Sequence, residues 1–457
     1  MPVAQSLCQP DFKMAYRKMP CHNRVRQFIK MKLLVFAHIP PPHHGQSYMV
    51  QLMLEGFGGD HRGRTPKSLP HAGDIHGIQC YHVNTRLSQR LEDIGEFHTA
   101  KLFRLLVYCA EAIWCRFRYG VTNFYYIPAP GKTSALYRDW MVLLLCRPFY
   151  KRIILHWHAA GLAKWLETAV QIRTRALTYH CARQADLSIV LTHYNMSDAE
   201  KLLARRIRVV GNGIPDPCSD FRQRILPRRR ARFAAREKLF NGRKLEAADY
   251  HDTGGEPQTV KVLFLAHCME EKGLFDAMRA VILANRTLAE QQSFVRMKLV
   301  VAGTFVSQTE REQFDRLLLE PEFGSAVDYL GFVGGEAKKR AFSEADCFCF
   351  PTYYYAESFG LVVVEAMAFG LPIITTRWRS IPEMFPTDYP GLVTIKSPEI
   401  IAAALLNLLP QETGEGFRQI FLARFTLEAH LTKLAEALVT VEQPDPIAVA
   451  ALASAAR

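Results

Sequence analysis

Short apolar runs alternate with longer stretches in which apolar positions recur at helical spacing. In the first half the apolar runs are Lys32–Ala37, Gln79–Val83, Asn123–Ile127, Arg152–His156, Leu187–Leu191 and Arg206–Val210. Helical patterns at Phe97–Phe117, Ser134–Cys146, Ala163–Gln184 and Ser197–Ala204 separate them. The alternation restarts with Lys261–Ala266, Lys298–Ala302, Val327–Leu330, Cys347–Phe350, Pro372–Thr375 and Leu392–Ile395. Strands separated by helices predict parallel βαβ units, so the chain reads as two successive doubly wound α/β sheets. A ligand is then expected in the cleft between them, at the carboxyl ends of the strands. Turn-rich residues 211–221 and a basic and polar stretch follow the first half. The predicted division is an extension 1–30, a first domain 31–220, a linker 221–258, a second domain 259–424, an amphipathic helix 425–441 and a flexible tail 442–457.

A chain of 457 residues is too long for one core, and its 49% hydrophobic and 22% charged content is that of a globular enzyme. Eleven scattered cysteines with no C-x-x-C pair argue against a zinc site or a disulfide framework and favour a reducing cytoplasm. No apolar run reaches the roughly 18–20 residues of a membrane span. Residues 1–30 are basic and lack the continuous apolar core of a signal peptide.

Charge is divided unevenly. Residues 1–244 carry 39 Lys+Arg against 16 Asp+Glu, leaving 18 against 28 for the rest. Such asymmetry points to an anionic partner facing the first half. No nucleic-acid module is visible, so an anionic membrane surface or a lipid-linked acceptor fits better, with peripheral attachment at the cytoplasmic face. The basic helical stretch Lys101–Arg118 fits either a membrane face or a surface helix packed on the sheet, and the second reading is preferred.

The densest chemistry lies in residues 346–383. Glu357 closes a polar, aromatic loop after an apolar strand, and Glu365 lies eight positions on, inside the helical run Leu361–Phe369. Gly360 stands just before that run, where unpaired N–H groups at a helix start favour a phosphate. Two carboxylates flanking such a point suit a sugar nucleotide, which has hydroxyls on both sides of a diphosphate. Taken alone, two glutamates at this spacing are more often solvated. The whole segment carries Pro351-Thr352, Glu357, Phe359-Gly360, Glu365-Ala366-Met367-Ala368, Gly370, Pro372 and Ile381-Pro382-Glu383. It resembles the nucleotide-sugar signature of the retaining glycosyltransferases of family four, and the resemblance extends from about Met31 to about Leu438.

That resemblance implies a GT-B fold of two Rossmann-like domains, with the last helix crossing back onto the first. It also implies roles at matching positions. Lys272, in FLAHCMEEKG, aligns with the lysine that binds the donor diphosphate, while His267 stands where the family has arginine. His158, in HWHAAGL, matches a histidine facing the reacting sugar. His156 is its rival, although strand alternation would bury it. Gly45, after the first strand, permits close approach to a phosphate, but the family's second glycine is His44 here. Asn212 matches the junction turn, where a pure turn role is equally open.

The reading is a retaining glycosyltransferase, with catalytic residues His158, Glu357 and Lys272. The donor contacts are Gly45, Asn212, His267, Lys272, Glu357, Phe359, Gly360, Leu361 and Glu365. No metal or cofactor is expected. The donor is a nucleoside-diphosphate sugar and the acceptor a sugar, a glycan or a lipid-linked group. An epimerase or hydrolase on the same fold, or a non-catalytic scaffold, remain the alternatives.

Overall fold

A computed structural model describes residues 31–41, 45–63, 77–86, 99–253, 256–408 and 414–443. The extension 1–30, His43, His44 and the residues after 443 lie outside the described residues.

Among the described residues, twelve parallel strands form two six-stranded sheets. The first contains β1 (Met31–Ala37), β2 (Ile78–Asn84), β3 (Asn123–Tyr126), β4 (Arg152–Trp157), β5 (Leu187–Val190) and β6 (Ile207–Val209), in the order β2-β1-β3-β4-β5-β6. The second contains β7 (Thr259–Leu265), β8 (Arg296–Ala302), β9 (Val327–Gly331), β10 (Cys347–Phe350), β11 (Ile373–Thr376) and β12 (Leu392–Val393), in the order β12-β11-β10-β7-β8-β9. Central strands such as β3, β5, β10 and β11 are buried along their whole length. Helices cover both faces, which explains why these strands are continuous apolar runs without alternation. The order of the second sheet reverses between β7 and β10, so the loops after these two strands open a crevice at their carboxyl ends.

Three details differ from the sequence reading. The run Ala163–Gln184 forms two helices, Leu162–Thr168 and Ile172–Ala182. The stretch 221–258, expected as a basic and polar linker, is largely folded onto the second domain. It forms a π-turn at Phe221–Ile225 and helices Leu226–Phe240 and Ala247–Thr253, with Phe221, Ile225 and Leu226 in the second domain's core. Its arginines are engaged as well. Asp346 receives Arg232 and Arg236, each at 2.7 Å, and is held down to about 2 by them against its burial. Arg229 donates to the Phe369 and Gly370 carbonyls. Arg222 and Arg230 lie 3.7 and 3.6 Å from Glu415. Finally, the tail expected from 442 is anchored at its start. Glu442 accepts from Arg152 at 2.5 Å and from Asn123 at 3.0 Å, and Arg206 donates to the Gln443 carbonyl.

Helix Leu427–Val439 crosses back onto the first domain. Leu431, Leu434, Ala435, Ala437 and Leu438 join Met31, Leu33 and Val35 of β1 in one core. The backbone passes between domains at Gly211–Ile214 and again at Phe425–Leu427, and the two crossings hydrogen-bond at Ile214 N–Phe425 O and Leu427 N–Ile214 O. A Cβ on Gly213 would lie 2.3 Å from the Thr426 carbonyl oxygen, so only glycine lets them pair this closely.

Candidate functional site

The loop after β7 turns through Glu270–Lys272 into helix Leu274–Glu290, with Gly273 left-handed at φ 82°. A Cβ there would lie 2.3 Å from the Pro351 carbonyl oxygen. This close approach joins the β7 loop to the β10 loop, and Tyr353 N donates to Glu271 O at 2.8 Å. Lys272 Nζ consequently reaches Glu357 Oε2 at 2.7 Å and lies 4.2 Å from the Tyr354 ring centroid. Both charged side chains are largely buried.

Gly360 precedes helix Leu361–Ala368 with φ 71°, and a Cβ there would meet Ile381 at 2.9 Å. One turn on, Glu365 is half-buried, with its Oε2 shielded from solvent. Its Oε1 accepts from Lys338 Nζ at 2.5 Å, and its Oε2 has no hydrogen-bond partner. Burial raises its pKa, and Lys338 offsets that only in part. An unpaired buried carboxylate oxygen is costly and is well suited to accept from a ligand hydroxyl. His267, half-buried, has its pKa lowered by burial and by Lys272, so near neutral pH it supplies a neutral ring rather than a second cation.

The first domain faces this site. A Cβ on Gly45, the first residue of helix Gly45–Gly56, would lie 3.1 Å from Leu361 Cδ1. Tyr48, on the same helix, senses the Glu365 charge after its own burial. His158 follows β4, its carbonyl accepts from Ser358 Oγ at 2.5 Å, and its ring centroid lies 4.2 Å from that of His156. His156 is buried at 1% exposure and bonded to Tyr125, and its pKa is pushed well below the usual value by burial and the His158 charge. His158 is half-buried, so of the two histidines it is the less enclosed.

Not every expected contact has a side chain in the cleft. Phe359 is buried, 6.0 Å from Phe425 and against Gly211, so its ring wedges the domain junction and only its backbone can serve a ligand. Asn212 is buried at that junction, with Oδ1 unpartnered. Several contributors were not singled out from sequence. Lys338 fixes Glu365. Glu383 accepts from the backbone N–H groups of His193 and Tyr194 at 2.8 and 2.7 Å, bridging the domains. The Ile381-Pro382-Glu383 motif was visible, but nothing local shows that its carboxylate reaches across. Among the described residues no group of three or more His, Cys, Asp or Glu could hold a metal ion.

Residues 251–420 match the family model for glycosyl transferases group 1. The matched stretch spans all six strands of the second sheet. An uncharacterized glycosyltransferase of Methanocaldococcus jannaschii is 30% identical over 159 residues, 35% of this chain and 37% of the relative. The amylovoran biosynthesis glycosyltransferase AmsK of Erwinia amylovora is 26% identical over 180 residues, 38% of this chain and 42% of the relative. The chain thus aligns with about two fifths of these curated relatives. The structure of Anabaena HepE in complex with UDP and glucose superposes with a TM-score of 0.57 at 15% identity, covering 90% of this chain and all of that one. The likeness over both domains establishes the GT-B fold for the chain as a whole.

Proposed function

We propose that the protein is a retaining glycosyltransferase that moves a sugar from a nucleoside-diphosphate sugar to a sugar, glycan or lipid-linked acceptor in polysaccharide or glycolipid biosynthesis. The observation that carries this reading is the Lys272–Glu357 pair at the strand-order reversal, together with the unpartnered oxygen of Glu365 one turn into the helix that follows. Glu365 Oε2 accepts from the ribose hydroxyls. Lys272 and the N–H groups at Gly360–Leu361 take the charge of the departing diphosphate, the main demand of an oxocarbenium-like transition state. As Lys272 turns to the diphosphate, Glu357 is released to accept from a hydroxyl of the transferred sugar. His158 donates to that sugar from the first domain, and the acceptor attacks on the face from which the diphosphate leaves. Lysine and the helix start supply the positive charge, so the reaction needs no metal. The UDP in the HepE complex makes UDP the first nucleotide to test. Calorimetry with UDP, GDP and ADP, followed by transfer assays and anomeric analysis of the product, tests the reading. Failure of all three to bind, or a product with inverted configuration, would overturn it.

A membrane partner also fits this reading, through a different surface from the basic stretch 222–244, whose arginines are largely paired. On helix Thr99–Tyr119, Phe103, Val107, Trp114 and Phe117 form an exposed stripe, with Phe103 and Phe117 68% and 69% accessible. Arg104 and Arg118 are exposed beside it. Apolar side chains among arginines are the composition that lies on an anionic bilayer. Among the described residues no helix is long and apolar enough to cross one.

A further inference from the structure

Arg379 sits in the segment that joins β11 to Glu383, facing the loop that carries His158. Its backbone is left-handed at φ 49°, a region that non-glycine residues rarely adopt. Its guanidinium lies 5.5 Å from the Trp378 ring and 5.9 Å from the Tyr194 ring of the opposite domain. Its Nη1 is 3.3 Å from where a Cβ on Gly161 would stand, so Gly161 makes the room it occupies. Despite this enclosure Nε is buried without a partner, and the guanidinium makes no hydrogen bond among the described residues.

The acids on the surrounding segments are already engaged. Asp198, which senses the Arg379 charge, accepts from the backbone N–H groups of Gly161 and Ala163 at 2.9 and 2.7 Å. Glu383 is taken up by His193 and Tyr194. A planar fork of donors is thus held between two aromatic rings with no protein acceptor, three residues from His158 along the opposing loop.

We propose that Arg379 selects an acceptor bearing a phosphate or carboxylate group, which it binds on the first-domain side of the cleft. The proposal rests on the transfer reading above for the word acceptor, but the anion site does not depend on it. A guanidinium fork matches both oxyanions in a bidentate way, and a neutral sugar offers no such partner.

The test is a titration of the full chain, with and without UDP, using glucose, glucose 6-phosphate, glucuronate and inorganic phosphate as probes observed by NMR. At least one of the two sugar acids is expected to bind fivefold or more tightly than glucose. Arg379→Gln is expected to reduce that preference to less than twofold and to leave UDP affinity unchanged. Arg379→Gly, which relieves the left-handed strain, is expected to melt no lower than wild type and to lose the same preference, separating recognition from folding. Equal binding of glucose and both acids to the wild type overturns the proposal, and so does a preference that survives in the variants. A fall in UDP affinity on Arg379→Gln overturns it too, assigning the arginine to the donor. Wild-type protein that ignores UDP, GDP and ADP alike yet prefers the acids through Arg379 refutes the transfer reading and sustains this one.

Discussion

Lys272 and Glu357 form a 2.7 Å ion pair between the loops that follow β7 and β10, with both side chains shielded from solvent. The pair joins the group assigned to the diphosphate with the group assigned to the sugar. Lys272→Ala removes a charge-assisted contact worth roughly 1.5–3 kcal/mol. Turnover is expected to fall tenfold to a hundredfold or more, with the far-ultraviolet circular dichroism of the wild type. Wild-type turnover in the folded variant would remove the diphosphate from this position.

The two carboxylates should separate by ligand. Glu365→Gln is expected to weaken free nucleoside diphosphate, because the ribose contact exists without the sugar. Glu357→Gln should spare the nucleotide and impair transfer. Calorimetry on both variants decides the assignment, and loss of nucleotide binding in Glu357→Gln alone would reverse it.

Glu365 also predicts a pH dependence. Burial raises its pKa above 4.5, so the proton is lost at a higher pH than from an ordinary glutamate. Nucleotide affinity should fall as pH drops through that raised range, because a protonated carboxyl no longer accepts as strongly. The Glu365→Gln variant should bind more weakly but with a flatter acid limb. An identical acid limb in both proteins would place the titration elsewhere.

His430 on the crossover helix gives an acid limb to stability. It is buried, donates from Nδ1 to the Gly211 carbonyl at 2.8 Å, and has its pKa pushed down to about 4 by burial. Between that value and 6.5 the unfolded chain binds a proton that the folded chain refuses. Stability is therefore fully present above 6.5 and is lost as pH falls toward about 4, by on the order of 3 kcal/mol. Urea midpoints from pH 7 to 4.5 should show a steeper decline for the wild type than for His430→Gln.

The apolar stripe on helix Thr99–Tyr119 predicts where bilayer binding would fail. Replacing Phe103 or Phe117 by Ser should weaken sedimentation with anionic vesicles by roughly tenfold each, from about 1.5 kcal/mol per aromatic side chain. Added salt should weaken it further. Replacing Arg228 and Arg230 by Gln should have the smaller effect. The opposite order would return the membrane contact to the basic segment.

The strands were legible because a sheet covered on both faces writes itself as apolar runs, and all twelve lie within a few residues of their sequence bounds. Glu357, Glu365 and Lys272 could be placed after a strand or inside the following helix from local pattern, whereas their proposed roles came from the family resemblance. The segment 221–258, expected as a basic and polar linker, folds for a reason its own sequence does not show. Three of its arginines meet Asp346 and the carbonyls of Phe369 and Gly370, more than a hundred residues away. Ser358, Arg379 and Glu383 belong to the same class. Each acts across the cleft, and no periodicity in one segment records what a distant segment offers it.

The crossover helix also sets an order of events during synthesis. Gly56 lies so close to Leu431 that a Cβ there would approach Cδ1 to 2.3 Å, and Leu434 and Leu438 sit under β1. The core of the first domain is therefore missing a wall until residues 427–441 leave the ribosome, after the entire second domain has been made. The half of the protein that is translated first is the half that is completed last, and a fragment ending before residue 427 would be left with that wall open.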